Sequence, residues 1–181
     1  MSSTISLAHN ENPYGPSPCA IDAVRQIAGE AHRHRPQLLD ELTSVIAAYH
    51  QVPESWIRVS GGSGDVMRSA VRAFTGPARA LVTASPSYEL PMRMAQHIGS
   101  PVVRVPLSPS LQIDPELMAG KAIGAGLVYV CNPNNPTGLC LRRREVLTLV
   151  RQLQRRTPAT SVMIDEAYLD YADSPAADSA V

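Results

Sequence analysis

The chain has one lysine, Lys121, among its sixteen basic residues, so any chemistry that needs a lysine has a single candidate here. It also lacks net charge: sixteen Lys and Arg balance sixteen Asp and Glu, which leaves no overall field to gather nucleic acid or an acidic membrane. No apolar run approaches the roughly 20 residues that cross a bilayer. The opening residues, Met1 to Ser6, have neither a basic nor an apolar signal region, so neither a membrane span nor a secretory leader is expected. The three cysteines, Cys19, Cys131 and Cys140, show no C-x-x-C spacing and read as reduced thiols of a cytoplasmic protein. The histidines (His9, His32, His34, His50 and His97) show no paired ligand spacing, and no metal is expected.

What is present is enough for one ordinary domain: 181 residues, 44% apolar and 18% charged. Behind a polar, Pro-rich leader, Ser17-Pro18 reads as a helix N-cap with proline at the first helical position, followed by Ile21, Val24, Ile27 and Ala28. Pro36 opens a second helix with an apolar face of Leu38, Leu39, Leu42, Val45, Ile46 and Tyr49. From Trp56 onward short apolar runs alternate with amphipathic helices. Strands are expected at Ile57–Val59, Ala80–Ala84, Val102–Val105, Leu127–Cys131 and Ser161–Ile164. Helices are expected at Asp65–Phe74 (Val66, Met67, Ala70, Val71 and Phe74 inward), Glu89–Ile98, Pro115–Met118 and Arg143–Arg155. The alternation indicates an α/β fold, a mostly parallel sheet with helices on both faces. The tail after Asp170 is small and polar and reads as unfinished.

Three segments carry possible chemistry. Ser60-Gly61-Gly62-Ser63-Gly64-Asp65 joins a strand to a helix, where the helix N-terminus suits a phosphate; as a plain tight connection it needs no ligand. No lysine follows, so it is not a nucleotide P-loop. Cys131 to Gly138, with the run Asn132-Pro133-Asn134-Asn135-Pro136-Thr137-Gly138, lies at the carboxyl end of a buried strand, where open parallel sheets bind ligands; its composition also favours a simple turn. Asp165 ends the apolar strand of Val162-Met163-Ile164-Asp165-Glu166-Ala167-Tyr168. A buried carboxylate needs a partner, and the choices are a protonated ring nitrogen of a ligand or a helix N-cap; Tyr168 could aim its phenol at the same ligand. Tyr88 could stack on a flat ring or pack as a core tyrosine. The arginines of 142–156 read as a solvated helix face, with a nucleic-acid patch as the lesser alternative.

In chain order, Asn10-Glu11-Asn12-Pro13-Tyr14-Gly15-Pro16, the Gly-Ser turn, Pro86-Ser87-Tyr88, Asn132 to Gly138 and Asp165-Glu166-Ala167-Tyr168 resemble the pyridoxal-phosphate aminotransferases of fold type I, in particular the histidinol-phosphate aminotransferase-like branch. The likeness runs from about Leu7 to Tyr171 and matches the N-terminal half of a family member. It implies a leader with a first helix over 1–35, a partial cofactor-binding large domain over 36–181, and a small C-terminal domain outside the chain.

The resemblance implies pyridoxal 5'-phosphate as cofactor, its phosphate at Ser63 and Gly64, with Tyr88 stacked on the ring. Asn135 and Tyr168 would meet the phenolic oxygen and Asp165 the ring nitrogen. Tyr14 would lie near the substrate, and Arg35, where relatives commonly carry tyrosine, would reach the phosphate of a neighbouring subunit or face solvent. Gly64 stands where relatives have Asp or Thr. The lysine that holds the cofactor covalently would follow Asp165 by roughly a few tens of residues, beyond Val181; Lys121 does not match it and is expected at the surface, in the connection entering the Leu127 strand. The implied protein is a homodimeric cytoplasmic transaminase acting on small amino and keto acids. A related decarboxylase, or a fragment that binds the cofactor only noncovalently, are the alternatives.

Overall fold

The computed structural model describes residues 8–173 together with 179 and 180; much of the tail after Asp170 lies outside them. The chain divides into two compact units, Met1–Ile57 and Arg58–Val181.

The first unit holds α1 (Pro18–Ile27) and α2 (Pro36–His50). The Ser17 hydroxyl accepts the Ala20 N–H at 3.2 Å and so caps α1, with Pro18 at the first helical position. α2 likewise opens on proline and ends with Gln51 in the left-handed region. Its apolar face is not buried as the periodicity implies: Leu38, Leu39, Leu42, Val45 and Tyr49 are exposed and only Ala47 is buried. Two helices and their turns supply too little chain to cover such a face.

The second unit contains α3 (Ser63–Phe74), β1 (Leu81–Ser85), α4 (Leu90–His97), β2 (Val102–Pro106), α5 (Pro115–Lys121), β3 (Leu127–Cys131), α6 (Arg143–Arg156) and β4 (Ser161–Asp165). The four strands pair in parallel in the order β2-β1-β3-β4. Alternate residues serve opposite faces. Leu81, Leu127, Tyr129 and Cys131 pack with Met67 and Val71 of α3 and Met92 and Ala95 of α4. Val82, Ala84, Val128 and Val130 pack with Met118 and Ala119 of α5, with Ala122 just after it, and with Val146, Leu149 and Leu153 of α6. Helices therefore cover both faces, as the apolar strands require. The outer side of α6 carries its arginines in solvent, while at its start the Arg142 N–H donates to Glu145 Oε2 at 2.8 Å.

Three expectations are corrected. Ile57–Val59 is not one of the sheet's strands; Ile57 has extended angles but closes the short helical turn Glu54–Trp56. In α3, Val66 and Phe74 are exposed and only Met67 and Val71 are buried, because the predicted arc is wider than the face α3 turns to the sheet. Lys121 sits in the last turn of α5, exposed, rather than in the connection before β3. One close approach fixes the entry to β3: a Cβ on Gly126 would overlap the Phe74 carbonyl oxygen.

Candidate functional site

The loop after β3 is built by two of its three asparagines. Asn132 is buried; its Oδ1 accepts the Leu141 N–H at 2.7 Å and its Nδ2 donates to the Leu141 carbonyl at 3.1 Å. Asn134 is also buried. Its Oδ1 accepts the Ser87 hydroxyl at 2.7 Å, and its Nδ2 donates to the Pro86 carbonyl at 3.1 Å and to Thr137 Oγ1 at 3.0 Å. These bonds tie the loop to its own return and to the segment that follows β1, across 47 residues of sequence in the Ser87 bond. The peptide bonds preceding Pro86, Pro133 and Pro136 are cis.

Asn135 differs. Its amide makes no side-chain hydrogen bond among the described residues, and it lines an open cleft of about 450 Å³ with Tyr88, Leu90, Arg93 and Pro136. Tyr88 lines this cleft and is 37% exposed. Arg93 pairs with Glu89 one helical turn back. The cleft adjoins the start of α3: a Cβ on Gly64 would lie 3.6 Å from Leu90 Cδ2. Gly62 precedes that helix at φ +110°, a conformation side chains avoid, and neither Gly62 nor Ser63 is covered. In the first turn of α3, a twelve-residue helix, the Asp65 N–H donates to the Gly62 carbonyl at 3.1 Å, while the Ser63 and Gly64 N–H groups have no intrahelical partner.

Asp165 ends β4 at the same, carboxyl edge of the sheet, in register with Cys131. It has a partner that the sequence reading did not identify: the buried Tyr129 hydroxyl donates to Asp165 Oδ2 at 2.9 Å. Asp165 Oδ1 accepts the Ala167 N–H at 3.2 Å. Burial first, and then the neighbouring Cys131 and Asp165, push the Tyr129 phenol far above its ordinary range, so it stays a neutral donor. Burial likewise raises the Cys131 thiol, opposed by the Asn135 backbone N–H, and raises the Cys140 thiol. The signal for Tyr129 was a single phenol in an aliphatic strand, whose hydroxyl needs a partner once buried. The fold-building roles of Ser87 and Asn134 gave no such signal.

The chain turns sharply after β4, with Leu169 N–H donating to the Glu166 carbonyl at 3.0 Å. Tyr168 consequently lines a second cleft with Pro133, Gly138 and Cys140. Tyr14 and Arg35 belong to the first unit. Tyr14 is 94% exposed in a turn where its N–H donates to Asn12 Oδ1 at 3.0 Å, and Arg35 pairs with Glu30. Among the described residues no group of His, Cys, Asp and Glu is placed to hold a metal ion, and no helix is long and apolar enough to cross a membrane.

Known proteins place this arrangement. The model of the family described as aminotransferase class I and II matches residues 2–180. A histidinol-phosphate aminotransferase of Symbiobacterium thermophilum is 32% identical over 94% of this chain and 46% of its own length. An aromatic amino acid aminotransferase of Streptomyces avermitilis is 34% identical over 93% of this chain and 46% of its own. Among solved structures, a histidinol-phosphate aminotransferase of Sinorhizobium meliloti in complex with pyridoxal-5'-phosphate superposes with a TM-score of 0.82 at 26% identity. That match covers 93% of this chain and 45% of the other. The chain thus spans about half the length of the relatives it matches. It belongs to the aminotransferase class I and II family.

Proposed function

We propose that the second unit is the cofactor-binding half of a pyridoxal-phosphate-dependent aminotransferase. The observation that carries the reading is the gathering, at one edge of the sheet, of a carboxylate on β4, an asparagine amide with no side-chain hydrogen bond among the described residues beside Tyr88, and the N-terminus of α3. The donor set fits the group: first-turn N–H groups for a phosphate, an aromatic face for a ring, an amide for a phenolic oxygen, and an anion for a ring nitrogen.

In this reading the α3 amides at Ser63 and Gly64, with the Ser63 hydroxyl, hold the phosphate. Tyr88 covers one face of the ring and excludes water from it. The Asn135 amide donates to the phenolic oxygen. Asp165 keeps a proton on the ring nitrogen by presenting a negative charge to it. When bound, the cofactor supplies an electron sink for the pair left as a substrate Cα–H bond breaks. Tyr14 and Arg35 keep the roles the resemblance gives them, as substrate-side and cross-subunit phosphate contacts in a homodimer. Cytoplasmic location is part of the same reading.

The relatives' names supply the donors to try, histidinol phosphate and an aromatic amino acid. The protein as it occurs in its cells, supplied with pyridoxal phosphate, a keto acid and each donor, is expected to release the donor's carbonyl product with amino-group transfer to the keto acid. Carbon dioxide from an amino-acid donor without transfer would instead establish the decarboxylase alternative. Neither product, from protein that binds the cofactor, would leave a noncovalent binding role.

A further inference from the structure

Tyr129 sits in the centre of the sheet and has no exposed surface. Its direct partner on β4 is Met163, and Asp165 lies two residues further on the same face, within diagonal reach of a long side chain. The phenol takes that reach and donates to Asp165 Oδ2, while the Ala167 N–H holds Oδ1 from the other side. Two donors from different elements fix the carboxylate plane. An ionised carboxylate has about four acceptor sites, so two held contacts leave further lone pairs for a ligand. A buried phenol that stays neutral donates at every working pH.

We propose that Tyr129 is a positioning residue: by bonding Asp165 Oδ2 it orients the carboxylate, in its ionised form, for the protonated ring nitrogen of the cofactor. This rests on the reading of Asp165 given above. Tyr129 touches no ligand itself, and its whole effect passes through Asp165. A carboxylate already held in one orientation makes a better-aligned charge-assisted hydrogen bond to a cation.

The test compares Tyr129→Phe, Asp165→Ala and the double variant of this chain with two ligands, pyridoxal phosphate and its 1-deaza analogue, which has carbon in place of the ring nitrogen. Affinity is read by absorbance and fluorescence titration. Tyr129→Phe is expected to weaken pyridoxal phosphate roughly tenfold, to leave the deaza analogue unchanged, and to add nothing once Asp165 is alanine. Equal losses for both ligands, no loss, or a loss that persists in the Asp165→Ala background would overturn the proposal, since each assigns Tyr129 to packing alone. Urea unfolding of the same four ligand-free proteins reads the pair without any ligand, and the two substitutions should be non-additive. If the unaltered chain binds neither ligand, the functional reading fails, and the urea series then decides the Tyr129–Asp165 coupling by itself. Additive midpoint shifts would overturn that too.

Discussion

The root and the tip of the loop after β3 use the same residue type for opposite ends. At the root, Asn132 and Asn134 are buried and most of their amide hydrogen-bonding capacity goes to Leu141, Ser87, Pro86 and Thr137. At the tip, Asn135 is held by its backbone and leaves its amide on the cleft. Three asparagines in four positions look equivalent along the chain. Only the contacts made by segments far away in sequence separate those that hold the loop from the one that faces a ligand.

The largest effect should come from the root. Asn132→Ala leaves the buried Leu141 N–H and carbonyl without their partner, and is expected to cost about 3 kcal/mol in urea unfolding. Asn134→Ala should cost about 2 kcal/mol by the same measurement and also free the Ser87 segment. Asn135→Ala should change stability by less than about 0.5 kcal/mol while weakening pyridoxal phosphate roughly tenfold in an affinity titration. A stability loss at Asn135 equal to that at Asn132 would erase the distinction between root and tip.

Smaller effects sharpen the same contrast between satisfied and unsatisfied polar groups. Thr83, fully buried and in register with Tyr129, has an Oγ1 with no hydrogen-bond partner among the described residues. Thr83→Val should therefore stabilise the chain by about 1 kcal/mol in urea unfolding, whereas the loss of the Tyr129 hydroxyl should not.

Stability should also fall in alkali. The folded state holds the Tyr129 phenol and the Cys131 thiol protonated above their ordinary values near 10 and 9. Their contribution is full below those ordinary values and declines as pH rises past them, because the unfolded chain releases the protons first. Replacing Cys131 by alanine should remove the part of the decline that begins near pH 9, as read from urea midpoints across a pH series.

Much of the second unit was legible in the sequence. Its apolar runs are short, bounded by Gly and Pro, and too continuous for amphipathic surfaces. β3 falls where it was expected, β2 and β4 run one residue further, and β1 is shifted by one residue. Ile57–Val59 was misread because an apolar triplet becomes a strand only through a ladder, which no local pattern encodes. The α2 stripe was legible as a stripe, but burial depends on what is available to cover it. Asp165 was reached from its place at the end of an apolar strand, and the role of Asn135 through motif resemblance. Tyr129 was missed because its bond to Asp165 spans 36 residues and depends on the β3–β4 register.

The central claim is that this edge of the sheet holds pyridoxal phosphate, and its most direct test is equilibrium titration of the ligand-free chain, unaltered and with Asn135→Ala. The account predicts saturable binding at one site, weakened roughly tenfold by the substitution with the urea midpoint unmoved. Absence of saturable binding, or binding indifferent to Asn135, would contradict it.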